Sequence, residues 1–429
     1  MEHQPRTARS NIRRLAAGRL ISVTGGAAAF TALNFTVWSS THSPGMQALS
    51  LLLTFGVAGI LGPFAGALGD RFDRRRVMIA SEATTAAVFL AMAFADSPTW
   101  LIGIAFVAAI AELPFFSASR AAIPNLIDSP DQLAWANSLV TIGVHAGIAI
   151  GPVIGGVLLA AVGPSWVFAL NAISFLISLG LTLSVRGRFQ QDGTEAADEE
   201  HVGLAAGLTF LWRDRVMRRM AAAWLVFLLG MGIGMVADAA LAESFGASEI
   251  GNALLIACWG TGSVIGSAAG RWMTPKTEPR WLVFGAFGIS AAAFGVGIAP
   301  LFPLVLVCLF LMGTADGFTI VAENSIMQRR TPDAVRSRAM AAFEAVLSVG
   351  LAVAYLVAGP VLTAVGPQGG YVVGGITAML AAIALVPMLR LRQEGADGDV
   401  EGSAATMTRY TSAEDLDAVT LPVAERRPA

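Results

Sequence analysis

Long apolar stretches recur along the whole chain and are separated by short polar segments. A helix needs roughly 20 mainly apolar residues to cross the hydrocarbon core of a bilayer. By that length the pattern predicts twelve membrane spans, near residues 18–38, 46–69, 77–96, 100–120, 137–162, 165–185, 220–243, 249–270, 281–299, 301–323, 339–362 and 369–390. The proline pair at "IAPLFP" should separate the ninth span from the tenth, because proline interrupts a helix.

The composition excludes an ordinary soluble protein. Of the 429 residues, 55% are hydrophobic and only 14% are charged, and the mean hydropathy is +0.66. Soluble domains carry about a quarter charged residues, so this chain has too little charge to cover a water-exposed surface. Both cysteines, Cys258 and Cys308, fall inside apolar runs and indicate no disulfide framework.

The basic residues predict how the spans are oriented. Cytoplasmic loops of membrane proteins retain lysine and arginine, and the twelve-span arrangement with both termini inside puts all 28 on the cytoplasmic side. We therefore expect a multi-pass protein of a bacterial cytoplasmic (inner) membrane with both termini in the cytoplasm. By these boundaries no lysine or arginine lies in a span interior, so a strongly anionic substrate would find no counter-charge.

A polar central segment divides the spans into two sets of six. The stretches "SPDQLAWANSL" and "TPDAVRSRAMA" precede corresponding spans of the two sets, and such a repeat is typical of a duplicated transporter scaffold. The predicted fold class is an all-α membrane protein of twelve transmembrane helices in two pseudo-symmetric six-helix bundles. The predicted parts are an N-terminal bundle (1–185), a cytoplasmic linker with an amphipathic helix (186–219), a C-terminal bundle (220–392) and a disordered cytoplasmic tail (393–429).

The loop "GALGDRFDRRR" after the second span contains an ordered pattern of glycine, aspartate and arginine, whereas the topology requires only basic residues in this loop. It resembles the signature loop of the major facilitator superfamily, with Asp73 where that family usually has glycine. The residues taken as the gating loop are Gly66, Asp70, Arg71, Arg74 and Arg75. The resemblance implies that Asp70 and Arg74 hold the cytoplasmic side shut in the outward-facing state. An aspartate such as Asp70 can also cap the start of the following helix.

The stretch "GIAIGPVIGG" in the fifth span is a second motif. Its small residues recur about every four positions, which lets another helix pack closely against this face. The pattern resembles the antiporter motif of the same superfamily, found mainly in exporters, and so favours efflux. Its residues are Gly147, Gly151, Pro152, Gly155 and Gly156.

Acidic residues inside the spans are candidates for coupling transport to protons, because a carboxylate in a bilayer is costly and usually functional. Glu112 in the fourth span and Asp316 in the tenth are the deepest by the predicted boundaries. A structural hydrogen bond or ion pair is the alternative interpretation for both. For Glu323 we favour such a pair, with Arg329 as the partner.

Most of the chain resembles the superfamily branch that contains enterobactin and macrolide exporters. The resemblance implies a monomeric alternating-access transporter that exports a hydrophobic or amphipathic small molecule in exchange for protons. An uptake carrier or facilitator is the first alternative, and a non-transporting receptor or membrane-embedded enzyme the second. The chain contains no G-x-x-x-x-G-K-[ST] loop and no metal-ligand spacing, so no cofactor or metal is expected. Basic segments spread over the inner loops suit a lipid surface better than nucleic acid.

Overall fold

All regular secondary structure in the residues that the structure describes is helical. A computed structural model describes residues 5–61, 72–127, 129, 132–187, 189, 207–247, 249–331 and 336–389, and none of these lies in a strand. The main helices are α1 (Pro5–Thr41), α2 (Pro44–Leu51, continued by a π-helical turn Leu52–Val57), α3 (Arg74–Met92), α4 (Pro98–Ala122), α5 (Leu133–Val162), α6 (Pro164–Ser184), α7 (Arg215–Ser244), α8 (Glu249–Ala268), α9 (Glu278–Ile298), α10 (Phe302–Arg330) and α11 (Arg336–Leu385). We call α1–α6 the first set and α7–α11 the second set.

Local sequence signals fix several helix starts. Ser43 and Ser97 precede Pro44 and Pro98, and each serine side chain accepts a hydrogen bond from a first-turn N–H group. This is the usual combination of a capping side chain followed by proline at the first helical position. Asp214 likewise accepts hydrogen bonds from two backbone N–H groups at the start of α7. Because of this cap, α7 begins at Arg215, within the segment predicted as linker.

The predicted spans are present as helices over the residues that the structure describes, and the second span is described only as far as Leu61. Ten helices among the described residues are long and apolar enough to cross a membrane. One of them, α11, holds two predicted spans, because Gly366 adopts φ 71° and ψ 177° and breaks the helix in its middle. The remaining predicted span is α3, a 19-residue helix that begins with three arginines and contains Glu82. The break between α9 and α10 falls at "APL", as the prolines of that stretch predict.

Each set packs mainly within itself, and a smaller group of contacts joins the two sets. α1 lies against α5 and α6, and α7 lies against α11. Between the sets, α5 packs on α8 and α2 packs on α11. Leu51 of α2 is buried in one apolar cluster with Val236 of α7 and Tyr355 of α11. The division of the chain into two bundles, a linker and a tail remains a prediction.

Candidate functional site

A cavity of about 700 Å³ lies between the two sets of helices. Its walls are mostly apolar side chains, among them Trp259 in the middle of α8. Among the described residues, one basic and three acidic side chains line the cavity, and they are Arg19, Glu112, Asp238 and Asp316. An apolar pocket with a few convergent polar groups is the usual form of a small-molecule site.

Arg19 is the basic group of this cavity, contrary to the expectation that no arginine lies in a span interior. Its side chain is only 4% exposed, and its Nη1 lies 3.8 Å from Oε1 of Glu112. The guanidinium also stands 4.3 Å from the ring centroid of Phe116 and 5.1 Å from that of Phe115. The aromatic faces and the carboxylate together compensate part of the cost of burying the charge. The predicted first span begins at residue 18. Arg19 stands at its very edge and was therefore counted with the basic N-terminal tail and not with the span interior.

A second carboxylate, Glu82 of α3, is buried beside this pair. It is 2% exposed, and the hydroxyl of Ser178 in α6 donates a hydrogen bond to its Oε1. Arg19 is close enough to interact electrostatically with both Glu82 and Glu112. Sequence reasoning missed Glu82, although the residue lies five positions inside the predicted span 77–96. An acidic residue within an apolar run was the signal that could have found it.

The second set contributes the other two acids of the cavity. The hydroxyl of Tyr371 in α11 donates a hydrogen bond of 2.5 Å to Oδ1 of Asp238 in α7. Asp316 of α10 is 6% exposed and faces Ser263 of α8. Both sequence candidates, Glu112 and Asp316, therefore lie in the same cavity, one in each set.

The pairing predicted for Glu323 is wrong. Arg329 at the end of α10 forms its ion pair with Glu278 at the start of α9. Glu323 is 9% exposed, and the charges near it are those of Glu344 and Asp316, which are also acidic. Residues six apart on a helix do not share a face, whereas the end of α10 comes next to the start of α9 in this antiparallel pair.

The glycine motif of α5 lies directly against α1. A Cβ atom on Gly147 would lie 2.9 Å from the backbone N of Thr24, and one on Gly151 would lie 2.6 Å from the carbonyl oxygen of Thr24. A Cβ on Gly155 would lie 2.6 Å from Cα of Ala28. Pro152, in the same motif, lines the cavity. The close helix approach predicted from the spacing is present.

The last glycine of this motif faces the second set. A Cβ on Gly156 would collide with Cβ of Ala253 in α8. The motif thus touches α1 along most of its length and α8 at its end, so it lies where the two sets meet.

The gating loop is described only at its end, because Gly66, Asp70 and Arg71 lie outside the described residues. Arg74 donates a hydrogen bond of 3.0 Å from Nη1 to the carbonyl oxygen of Ala121 in α4. Arg75 donates one of 2.9 Å from Nη2 to the carbonyl oxygen of Leu183 in α6. Both arginines thus bind carbonyl groups near helix C-termini, where cations are favoured.

The side chain that caps the start of α3 is Asp73. Its Oδ1 accepts a hydrogen bond of 2.9 Å from the backbone N–H of Arg76. Asp73, which stands where the family pattern usually has glycine, therefore caps α3. From the sequence alone, Asp70 is also a candidate for this role.

Contacts between the two sets join them at one end of the bundle. At the end that carries the α1–α2 and α7–α8 turns, Trp38 Nε1 donates a hydrogen bond to the carboxylate of Glu243, and His42 Nε2 lies 3.1 Å from the same group. At the same end a Cβ on Gly359 of α11 would lie 3.1 Å from Cα of Gly45 in α2.

A bundle of apolar helices in two sets around a central cavity is the architecture of membrane transporters. The chain matches the Major Facilitator Superfamily over residues 15–239 and 220–425, and it belongs to that family. It is 27% identical over 400 residues to the enterobactin exporter EntS of Shigella boydii serotype 18, covering 87% of this chain and 92% of that protein. It is 26% identical over 398 residues to the protein of the same name from Escherichia coli O139:H28, with 87% and 92% coverage.

Solved structures show the same fold at low sequence identity. A POT family transporter in complex with 5-aminolevulinic acid superposes with a TM-score of 0.73 at 12% identity, covering 90% of this chain and 100% of that one. A bacterial homolog of the human lysosomal transporter Spinster, inward-facing and unoccupied, gives a TM-score of 0.68 at 15% identity over 90% and 96% of the two chains.

Proposed function

We propose that this transporter exports hydrophobic or amphipathic small molecules of the drug, macrolide or siderophore type, by proton antiport with alternating access. The observation that carries the proposal is the apolar cavity between the two sets, with Glu112 on one wall and Asp316 on the other. A carboxyl group in apolar surroundings binds a proton more readily than an exposed one does, and a positively charged substrate group can take the place of that proton. Its full-length relatives are named enterobactin exporters, which favours export over the alternative of uptake.

The cavity alternates between the two sides of the bacterial inner membrane. With both termini in the cytoplasm, the end at which Trp38 and Glu243 join the two sets would face outward, and we propose that the cavity is loaded from the cytoplasmic side. Loading from the cytoplasm would precede opening of that end. The gating loop, with Asp70 and Arg74, would then close the cytoplasmic side.

The glycine motif links the close packing of the first set to its contact with the second set. Gly151 and Gly155 hold α5 tightly against α1 within the first set, and Gly156 allows α5 to approach α8 of the second set closely, where the two sets move against each other. The transporter works as a monomer in the lipid bilayer, because the cavity is built from the two sets of one chain, and it needs no cofactor.

Proton flux in membrane vesicles tests this function. Inverted vesicles that contain the protein are energised to an acid interior, and a pH-sensitive dye reports the gradient while drugs, macrolides and siderophores are added in turn. We expect a substrate to dissipate the gradient through the native protein, and either Glu112→Gln or Asp316→Asn to abolish the response. A matched control is Asp96→Asn, an exposed carboxylate in the turn between α3 and α4 that does not line the cavity and should leave the response unchanged.

Two results would contradict the proposal. Gradient loss that is the same in the native protein and in both cavity variants would exclude these carboxylates as coupling groups. The absence of a response to every compound, in vesicles that contain folded protein, would favour a carrier that is not proton-coupled.

A further inference from the structure

The cluster of Arg19, Glu82 and Glu112 has one basic group for two acidic ones. Arg19 comes from α1, Glu82 from α3 and Glu112 from α4, so three helices of the first set bring these groups together. The side chain of Glu112 is 27% exposed and lines the cavity, whereas Glu82 is not among the lining residues. The cluster therefore has one carboxylate that a substrate can reach and one that is hidden from it.

Arg19 and Glu82 each have one polar side-chain atom without a hydrogen-bond partner. Within the described part of the chain, Nη2 of Arg19 and Oε2 of Glu82 are both buried without a hydrogen-bond partner. Leaving a buried polar atom without a partner is energetically costly, so such atoms are uncommon and call for an explanation. A guanidinium can form parallel hydrogen bonds to a carboxylate. The unused atoms of Arg19 and Glu82 are the ones that such a second pairing would use.

The other groups around Glu82 do not supply a second positive charge. Ser178 and Thr182 of α6 face it with hydroxyl groups, and Glu112 of α4 faces it with a negative charge. Arg120 of α4 is exposed and interacts with Arg19 itself. In the low-dielectric interior one cation balances one carboxylate, and a second ionised carboxylate would be strongly disfavoured.

We propose that Arg19 exchanges partners between Glu112 and Glu82, and that this exchange couples the binding of a lipophilic monocation to the release of a proton. In the empty protein Arg19 pairs with ionised Glu112, and Glu82 carries the proton. A substrate cation then binds Glu112, the ion pair between Arg19 and Glu112 breaks, and Arg19 pairs with Glu82. The O–H bond of the Glu82 carboxyl group breaks and its proton passes to water. The cluster loses one positive charge as a proton and gains one as the substrate.

A cationic substrate class also follows from the whole cavity. The described residues place three acids, Glu112, Asp238 and Asp316, and one base, Arg19, at its surface. This inference rests on the proposed antiport, which it makes specific by naming the proton site as Glu82 and the substrate as an apolar molecule with a single positive charge. Glu112 is then the substrate-binding group, and Arg19 is a positioning residue.

The test compares two probes of equal size and opposite charge. Tetraphenylphosphonium and tetraphenylborate are added separately to the purified full-length protein in weakly buffered detergent solution, where binding is measured by dialysis and proton release by a pH dye. We expect the native protein to bind the cation and to release about one proton for each cation bound. The variant Glu82→Gln should bind the cation at least tenfold more weakly and release no proton, because Arg19 then has no second ionised partner.

A matched control and a milder variant keep this test interpretable. Glu323→Gln makes the same chemical change at another buried carboxylate, one that does not line the cavity, and should behave as the native protein does. If Glu82→Gln does not fold, Ser178→Ala replaces it. This change removes the hydroxyl donor to Glu82 and should weaken cation binding several-fold with the proton release preserved, since ionised Glu82 loses one stabilising hydrogen bond.

Three outcomes overturn the inference. They are equal proton release from native protein and Glu82→Gln, binding of tetraphenylborate in preference to tetraphenylphosphonium, and binding of neither probe. None of them contradicts the proposed function, which fails separately if no compound moves protons in the vesicle assay. Proton-coupled transport restricted to anions would leave antiport standing and refute the partner exchange alone.

Discussion

Replacing Gly155 by alanine should destabilise the protein, because α1 occupies the space that a side chain would need. A Cβ atom there would lie 2.6 Å from Cα and from the carbonyl oxygen of Ala28. Carbon atoms pack at about 3.5–4.0 Å, so α5 and α1 would have to separate by about 1 Å. Overpacking of this kind typically costs about 1–3 kcal/mol. The better helix propensity of alanine returns about 0.5–1 kcal/mol of that cost.

The matched control is Gly180→Ala in α6, where a Cβ would meet nothing within 4 Å. This variant has the propensity gain without the collision, so it should be as stable as the native protein or slightly more stable. The assay is thermal unfolding of both detergent-solubilised variants, followed by tryptophan fluorescence. We expect Gly155→Ala to unfold several degrees below Gly180→Ala. Equal midpoints would refute the close contact between α5 and α1.

Three further changes test other parts of the structure. Asp73→Ala removes the cap of α3 and should cost about 0.5–2 kcal/mol of stability in thermal unfolding, while Asp73→Asn, which keeps a capping oxygen, should cost less; equal losses would contradict the capping role. Tyr371→Phe leaves the Asp238 carboxylate without its donor and should lower stability by about 1–3 kcal/mol in the same assay, and an unchanged midpoint would show that the bond contributes little. Glu278→Gln should likewise lower the midpoint, because the Arg329 guanidinium loses its ionic partner, and an unaltered midpoint would place that pair among those that add no stability.

The helices could be predicted well because their signals are local. The length of an apolar run fixes a span, and the start of α6 at Pro164 and the end of α5 at Val162 agree with prediction within a few residues. The close packing of α5 followed from glycine spacing alone, since a four-residue repeat of small side chains leaves one face of a helix flat.

The charged cluster could not be predicted in the same way, because its members are far apart in the chain. Whether Arg19 belongs to a cytoplasmic tail or to a cavity depends on where along α1 the contact with α4 begins, and the apolar pattern of α1 alone does not mark that point. Its pairing with Glu112 requires the packing of two helices that are not neighbours in sequence. The pairing of Arg329 with Glu278 was missed for the same reason, since a partner was sought on the same helix.

The most direct test of alternating access is a reversible cross-link at the end of the cavity where the two sets touch. The exposed side chains of His42 and Glu243 come from different sets and are in contact, so cysteines at these two positions lie within reach of a short, reducible thiol cross-linker. We expect cross-linking of the His42→Cys, Glu243→Cys double variant to stop substrate-driven proton flux in vesicles, and a reducing agent to restore it, while either single variant treated with the same reagent remains active. Full flux through the cross-linked protein would contradict the account, because the cavity would then not need to open at this end.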